Sequence, residues 1–198
     1  MAVSGPRPFP SGRGRATGEP PSDREPGPDA DPVAVARQIC LHQLEHSPRT
    51  RAELAAVLSR RGVADDVAEQ VLGRFEEAGL IDDTLFSELW VNSRHRSRGL
   101  AGRAISQELR RKGVDDEVVR EAVAAIDPEE ELATARALVD RKLPSTRGLA
   151  ADARVRRLAG MLARKGYGAA VAYRVVKEAL AAEGVDLVLD TDGLSALD

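Results

Sequence analysis

The sequence predicts an all-α fold: an elongated array of three tandem three-helix repeats between a disordered N-terminal leader and a short C-terminal tail. One pattern recurs three times, and its glycines, Gly62, Gly113 and Gly166, are 51 and 53 residues apart. Apolar residues around each glycine have helical spacing. Aromatic residues make up only 3% of the chain, so the core must be built from aliphatic residues, which suits helices packed on helices.

Each copy of the pattern has an apolar residue eight positions before the glycine, a leucine four before it and a basic pair directly before it. The copies are Leu54, Leu58 and Arg60-Arg61; Ile105, Leu109 and Arg111-Lys112; and Leu158, Leu162 and Arg164-Lys165. A glycine in this place predicts the left-handed residue that ends a helix. Acidic clusters, Asp65-Asp66 and Asp115 to Glu117, are predicted to cap the next helix, whereas Gly168-Ala169-Ala170 in the third copy has no acidic cap.

The elements follow in order along the chain. Residues 1–31 are rich in Pro, Gly and Arg and poor in apolar residues, which predicts a disordered leader. Asp31-Pro32 is a typical helix start, and Thr50 with Glu53 forms a capping box. The first repeat, residues 32–80, therefore contains helices at about 33–45, 50–61 and 66–78.

The second and third repeats have the same order. Residues 81–127 form the second repeat, with a first helix through Leu85 to Val91 that ends in a basic stretch, and further helices at about 101–112 and 116–126. Residues 128–184 form the third, with helices at about 129–142, 152–165 and 169–182. Residues 185–198 form an acidic tail.

Composition limits the class of protein. The chain has 29 basic and 32 acidic residues, and the slight excess of acid lies in the leader and tail. Cys40 is the only cysteine, which excludes an intrachain disulfide and fits a reducing compartment. No stretch has the length and apolarity of a membrane span or a signal peptide. We therefore expect a soluble cytoplasmic protein with no membrane contact.

The middle of the chain carries a more specific signal. The run from Phe75 to Phe86 contains Gly-Leu-Ile-Asp-Asp-x-x-Phe, and a basic stretch and Glu108-Leu109-Arg110-Arg111-Lys112-Gly113-Val114 follow it. Both segments, in this order, resemble the RecX family, regulators of the RecA recombinase in bacteria. The resemblance covers about residues 32–184. The family usually has Ala at the position of Ser87.

The resemblance implies an elongated, all-helical protein that binds within or along the groove of the RecA–DNA filament. It implies inhibition of strand exchange, ATP hydrolysis and coprotease activity, in homologous recombination, DNA repair and the SOS response. It implies neither a catalytic chemistry of the chain's own nor a cofactor, and the sequence contains none of the common catalytic motifs. We expect a monomer, a non-enzymatic regulator of RecA.

Basic residues cluster in equivalent helices of the second and third repeats. Arg103 and Arg110 are seven residues apart, as are Arg157 and Arg164, so each pair shares a helix face. Stacked repeats would then form a basic track for the DNA backbone or an acidic face of RecA. The candidates are Arg94, Arg96, Arg98, Arg103, Arg110, Arg111, Lys112, Arg154, Arg157, Arg164 and Lys165; the third-repeat set also contains Arg156.

Several alternatives stay open at this point. The basic track could be an ordinary solvated face, because acidic residues lie nearby. Three-helix repeats of this size also suit a helix-turn-helix DNA-binding protein that acts independently of RecA. His42 and His46 have metal-ligand spacing but no third ligand, so we predict no metal site. Phe86 and Trp90 are predicted core residues, and Asp82-Asp83 a helix cap.

Overall fold

The computed structural model describes residues 31–185, and the statements below concern those residues. The predicted leader 1–31, except for Asp31, and the tail from residue 186 lie outside the described residues. Nine α-helices and one short 3₁₀ helix, but no strand, occur in this part of the chain. The α-helices are α1 (Pro32–His46), α2 (Arg51–Arg60), α3 (Asp65–Glu77), α4 (Asp83–Arg98), α5 (Gly102–Arg111), α6 (Asp116–Ala124), α7 (Pro128–Lys142), α8 (Ala151–Arg164) and α9 (Ala169–Ala182). The 3₁₀ helix, Leu143–Thr146, follows α7 directly.

The helix starts follow the sequence signals in most cases. Thr50 and Glu53 form the predicted capping box, in which each side chain accepts a hydrogen bond from the other residue's N–H at 3.2 Å. Asp82 caps α4 and Asp115 caps α6. At α3 the prediction of an acidic cap is wrong: Ala64 is the N-cap residue, and the aspartates stand in the first turn. They still favour the start through the helix dipole.

The three repeated glycines end α2, α5 and α8 as predicted. Their φ angles are +74°, +78° and +91°, in the left-handed region. In every copy the residue after the glycine donates its N–H to the carbonyl of the leucine four before the glycine: Val63 to Leu58, Val114 to Leu109 and Tyr167 to Leu162. The same C-terminal turn is therefore built three times.

Each trio of helices has its own apolar core. The most extensive helix contacts all lie inside the trios α1–α3, α4–α6 and α7–α9, and the buried apolar residues form three separate clusters. The apolar residues four and eight before each glycine are all fully buried: Leu54, Leu58, Ile105, Leu109, Leu158 and Leu162. The repeat pattern is therefore the pattern of the three cores.

Neighbouring trios meet through the ends of their second helices. Thr50, the N-cap of α2, donates its hydroxyl hydrogen to the carbonyl of Lys112 at the end of α5, at 2.6 Å. Ala101, the N-cap of α5, donates its N–H to the carbonyl of Lys165 at the end of α8, at 2.9 Å. The C-terminal end of one second helix thus contacts the N-terminal start of the preceding one, which brings opposite ends of the helix dipoles together.

The repeated glycines also allow this close contact. A Cβ atom at Gly113 would lie 2.3 Å from Cβ of Ala52, and one at Gly166 would lie 2.6 Å from Cβ of Ala104. Both distances are far below van der Waals contact, so only glycine fits. Gly62 differs, because no atom of the described residues lies within 4 Å of a Cβ placed there.

The last trio ends the array in a different way. The residue twelve before the glycine is the N-cap in α2 and α5, but in α8 it is Arg154, because α8 starts four residues earlier. Arg154 is buried, and its guanidinium donates to the hydroxyl of Thr146 at 3.1 Å and to the carboxylate of Glu183. Arg147 also binds Glu183, and together the two arginines lower the pKa of that carboxyl.

Candidate nucleic-acid interface

The solvent face of α5 carries an arginine stripe. Arg103, Arg110 and Arg111 are exposed, opposite the fully buried Ile105 and Leu109. Arg110 pairs with Asp116 at 2.6 Å, which lowers the pKa of the Asp116 carboxyl. Arg103 and Arg111 form no ion pair within the described residues, so their charges are available to an external anion.

The solvent face of α8 carries a second stripe. Arg157 and Arg164 are exposed, as expected from their spacing, and Arg156 is exposed with them. Relative to the repeated glycine, Arg156 stands at the same position as Arg103, ten residues before, and Arg164 at the same position as Arg111, two before. The sequence places Arg156 in this basic set, but the spacing of seven did not select it as a candidate. Counting back from each glycine would have found it.

Two of the predicted basic residues hold the structure together. The Arg94 guanidinium lies 3.9 Å from the Trp90 ring centroid and pairs with Glu108 at 2.9 Å, and Trp90 Nε1 donates to the same oxygen. Lys112 Nζ pairs with Glu53 of α2 at 2.6 Å and lies 4.5 Å from the same ring centroid. Arg94 thus joins α4 to α5 within the second trio, and Lys112 links the second trio to the first.

Four further candidates are separated from the stripes or only border them. Lys165 Nζ donates to the carbonyl of Arg98, between the second and third trios, and the Lys165 side chain is only half-exposed. Arg154 is buried in the cluster with Glu183, so its guanidinium is inaccessible to a partner. Arg96 and the side chain of Arg98 are exposed on the last turn of α4.

The stripe is weaker in the first trio. The residue ten before Gly62 is Ala52, so α2 has no counterpart of Arg103. Arg60 and Arg61 are exposed at its C-terminal end. Arg51, at its start, is engaged with Glu69 and Glu76 at 2.6 and 3.1 Å. Among the second helices, exposed arginines are therefore most numerous on α5 and α8, and α2 carries them only at its end.

The starts of two third helices carry the opposite charge. Asp65 and Asp66 are exposed at the start of α3, and Asp115, Asp116 and Glu117 at the start of α6. Negative side chains there repel phosphate. The basic face therefore belongs to the second helices, and the acidic starts belong to α3 and α6.

No metal site is visible in the part of the chain that the structure describes. Residues 31–185 contain no group of three or more His, Cys, Asp or Glu side chains placed to hold a metal ion. His42 and His46 have ring centroids 4.8 Å apart, and His46 Nδ1 donates to the carbonyl of His42. One of the two histidines thus uses a ring nitrogen within its own helix.

Comparison with known proteins places these features in a family. Profiles for the first, second and third three-helix domains of RecX match residues 36–75, 82–123 and 129–176. A regulatory protein RecX of Thermobifida fusca is 54% identical over 168 residues, covering 83% of this chain and 91% of that one. Its counterpart in Streptomyces coelicolor is 55% identical over 159 residues, covering 80% and 85%.

A solved structure shows the same fold. The crystal structure of RecX from Lactobacillus salivarius superposes with a TM-score of 0.69 at 18% identity, over 75% of this chain and 96% of that one. None of the helices within residues 31–185 is long and apolar enough to cross a bilayer.

Proposed function

The chain belongs to the RecX family of regulatory proteins, and on that basis we propose that it binds the DNA-bound filament of the RecA recombinase and inhibits it. It acts as a cytoplasmic monomer without chemistry of its own. Its arginine stripes contact the DNA backbone of the filament, and RecA's ATP hydrolysis, strand exchange and coprotease activity fall in consequence.

The observation that carries the proposal is the equivalence of the exposed arginines. Arg103 with Arg111, and Arg156 with Arg164, stand at the same two positions of consecutive second helices whose ends are in contact. Eight residues of helix separate the members of each pair by about 12 Å. Within residues 31–185 these cations have no ion-pair partner, and a repeated pair at fixed spacing suits a repeating polyanion, contacted through its phosphates rather than its bases.

The helix-turn-helix alternative fits these charges less well. A recognition helix enters the major groove with the residues of its N-terminal part on the base edges. The third helices α3 and α6 begin with exposed acidic residues. The starts of α2 and α5 are occupied by the neighbouring trios. Contact with the phosphates of the DNA backbone therefore fits the basic face better than base recognition by one of these helices.

The test measures the single-stranded-DNA-dependent ATPase of RecA while the wild-type chain is titrated in. We expect inhibition at well below one chain per RecA. The double variant Arg156→Glu, Arg164→Glu should lose most of it, and the affinity for the filament should become less dependent on salt, because each phosphate contact contributes about 0.7 to the slope of log K against log salt on a single strand.

The matched control reverses two other exposed arginines of the same trio, Arg141→Glu and Arg174→Glu, which lie outside the stripe. It has the same net charge as the stripe variant and should inhibit like the wild type. An unchanged ATPase at saturating wild-type chain contradicts the proposed function. Equal losses in the two variants would mean that net charge matters and the stripe does not. Selection for one duplex sequence without RecA would favour the alternative.

A further inference from the structure

The C-terminal end of α2, at Arg61, Gly62 and Val63, has the features of the two internal joints, but no other trio within residues 31–185 contacts it there. At the ends of α5 and α8, the glycine faces an alanine of the preceding second helix, and the carbonyl just before the glycine accepts a hydrogen bond from its N-cap residue. Gly62 has the same left-handed backbone and the same preceding basic pair. Within residues 31–185 nothing occupies the space in front of it, and Arg60, Arg61 and Gly62 are exposed.

The two occupied joints show what fits against such a helix end, which is called a socket below. In front of Gly113 stands the first turn of α2: the Thr50 hydroxyl donates to the carbonyl of Lys112, Ala52 lies against the glycine, and Glu53 pairs with Lys112 Nζ. In front of Gly166 stands the first turn of α5, with the N–H of Ala101 as donor and Ala104 against the glycine. In both cases the occupant is a helix start with a donor at the N-cap and a small residue one turn in.

A second copy of the chain does not supply this occupant. The helix start left over at the other end of the array is that of α8, which is four residues longer than its counterparts. Its position equivalent to Thr50 and Ala101 is Arg154, which is buried against Thr146 and Glu183. The two ends of the array are therefore not complementary to each other.

We propose that the socket formed by Arg61, Gly62 and Val63 binds the N-terminal turn of an α-helix on RecA in the filament. That turn has a hydrogen-bond donor at its N-cap, alanine or another small residue two or three positions on, and a carboxylate that pairs with Arg61. The socket continues the interface that already joins the trios. The inference rests on the proposed function and adds a direct protein contact to the phosphate contacts of the stripes.

The test compares two glycines of the first trio in the full chain. Gly62→Ala places a Cβ in the socket. In the occupied joints, a Cβ at the equivalent glycine would lie only 2.3 to 2.6 Å from the Cβ of the facing alanine. Gly79→Ala is the matched control: Gly79 has a similar φ of +66° and equally open surroundings, but ends α3 outside the socket. Both should lose the same small amount of thermal stability. Gly62→Ala should weaken binding to the RecA filament about tenfold, as expected for one lost hydrogen bond and its contact.

A second pair of variants avoids backbone strain. Arg61→Gln removes the cation that would pair with the incoming carboxylate, and Arg74→Gln removes an exposed arginine of α3 in the same trio. Only the first should weaken filament binding. If the wild type binds the filament and both pairs behave alike, the socket is unused and the inference is wrong while the proposed function stands. If the chain alone sediments as a dimer that Gly62→Ala dissociates, the occupant is a second copy, and the inference is again wrong.

Discussion

Alanine at Gly113 should destabilise the chain several times more than alanine at Gly62. The two positions have φ angles of +78° and +74° and close the same helical turn, so the left-handed strain of about 1 kcal/mol is common to both. The two glycines differ in the atoms that face them. A Cβ at Gly113 lies 2.3 Å from Cβ of Ala52, whereas Gly62 has open space within the described residues.

The excess follows from the contacts of the joint. Ordinary carbon contacts need about 3.5 Å or more, so α2 and α5 must separate by more than 1 Å. The 2.6 Å hydrogen bond from Thr50 to the carbonyl of Lys112 then stretches beyond its range, a loss of about 1 kcal/mol. The partly exposed Lys112–Glu53 pair adds at most about 1 kcal/mol. We expect a total of about 3 kcal/mol at Gly113 against about 1 kcal/mol at Gly62.

The assay is urea unfolding followed by circular dichroism. A third variant combines Gly113→Ala with Ala52→Gly, which removes the methyl group that the new Cβ meets. In a double-mutant cycle, the double variant should be 1 to 2 kcal/mol more stable than the sum of the two single changes predicts, a coupling energy of about that size. Equal losses at Gly62 and Gly113, or a cycle without coupling, would refute the reasoning that the glycine is required by the neighbouring trio.

Three further predictions concern single side chains. Glu183→Gln should lower Tm at pH 7 and converge with the wild type in acid, because Arg154 lowers the pKa of Glu183 and the stability from that carboxylate is lost as pH falls through the lowered value. Burial raises the pKa of Tyr167 to about 12, so wild-type stability should fall by roughly 2 kcal/mol as pH rises from about 10 to 12, and Tyr167→Phe should remove this dependence in pH-resolved unfolding. Glu108→Ala deprives Trp90 Nε1 of its acceptor, so the emission of the only tryptophan should shift to the red with a loss of about 1 to 2 kcal/mol.

Local features of the fold could be predicted from sequence, because they depend on residues close along the chain. The left-handed glycines, the Thr50 capping box and the buried leucines are properties of one turn or one helix face. That Gly113 also faces Ala52, sixty-one residues earlier, depends on how one trio sits on the next, which periodicity does not encode. The sequence pattern predicted that Gly113 ends its helix, whereas its close contact with Ala52 became visible only in the structure.

The candidate surface shows the same division. Helical spacing correctly places Arg103, Arg110, Arg157 and Arg164 on solvent faces. It could not reveal that Lys112 is engaged by Glu53 of the preceding trio, because that carboxylate belongs to another helix. A binding role for the exposed arginines stays a prediction.

Because α8 starts four residues earlier than its counterparts, the two ends of the array differ in how easily a further trio could be added. A further trio placed ahead of α1 would meet Gly62, in front of which no atom of residues 31–185 lies. A trio added after α9 would have to displace the extra turn of α8 and the buried Arg154 with its partner Glu183. A trio added at the N-terminal side would therefore break fewer of the contacts within residues 31–185 than one added after α9.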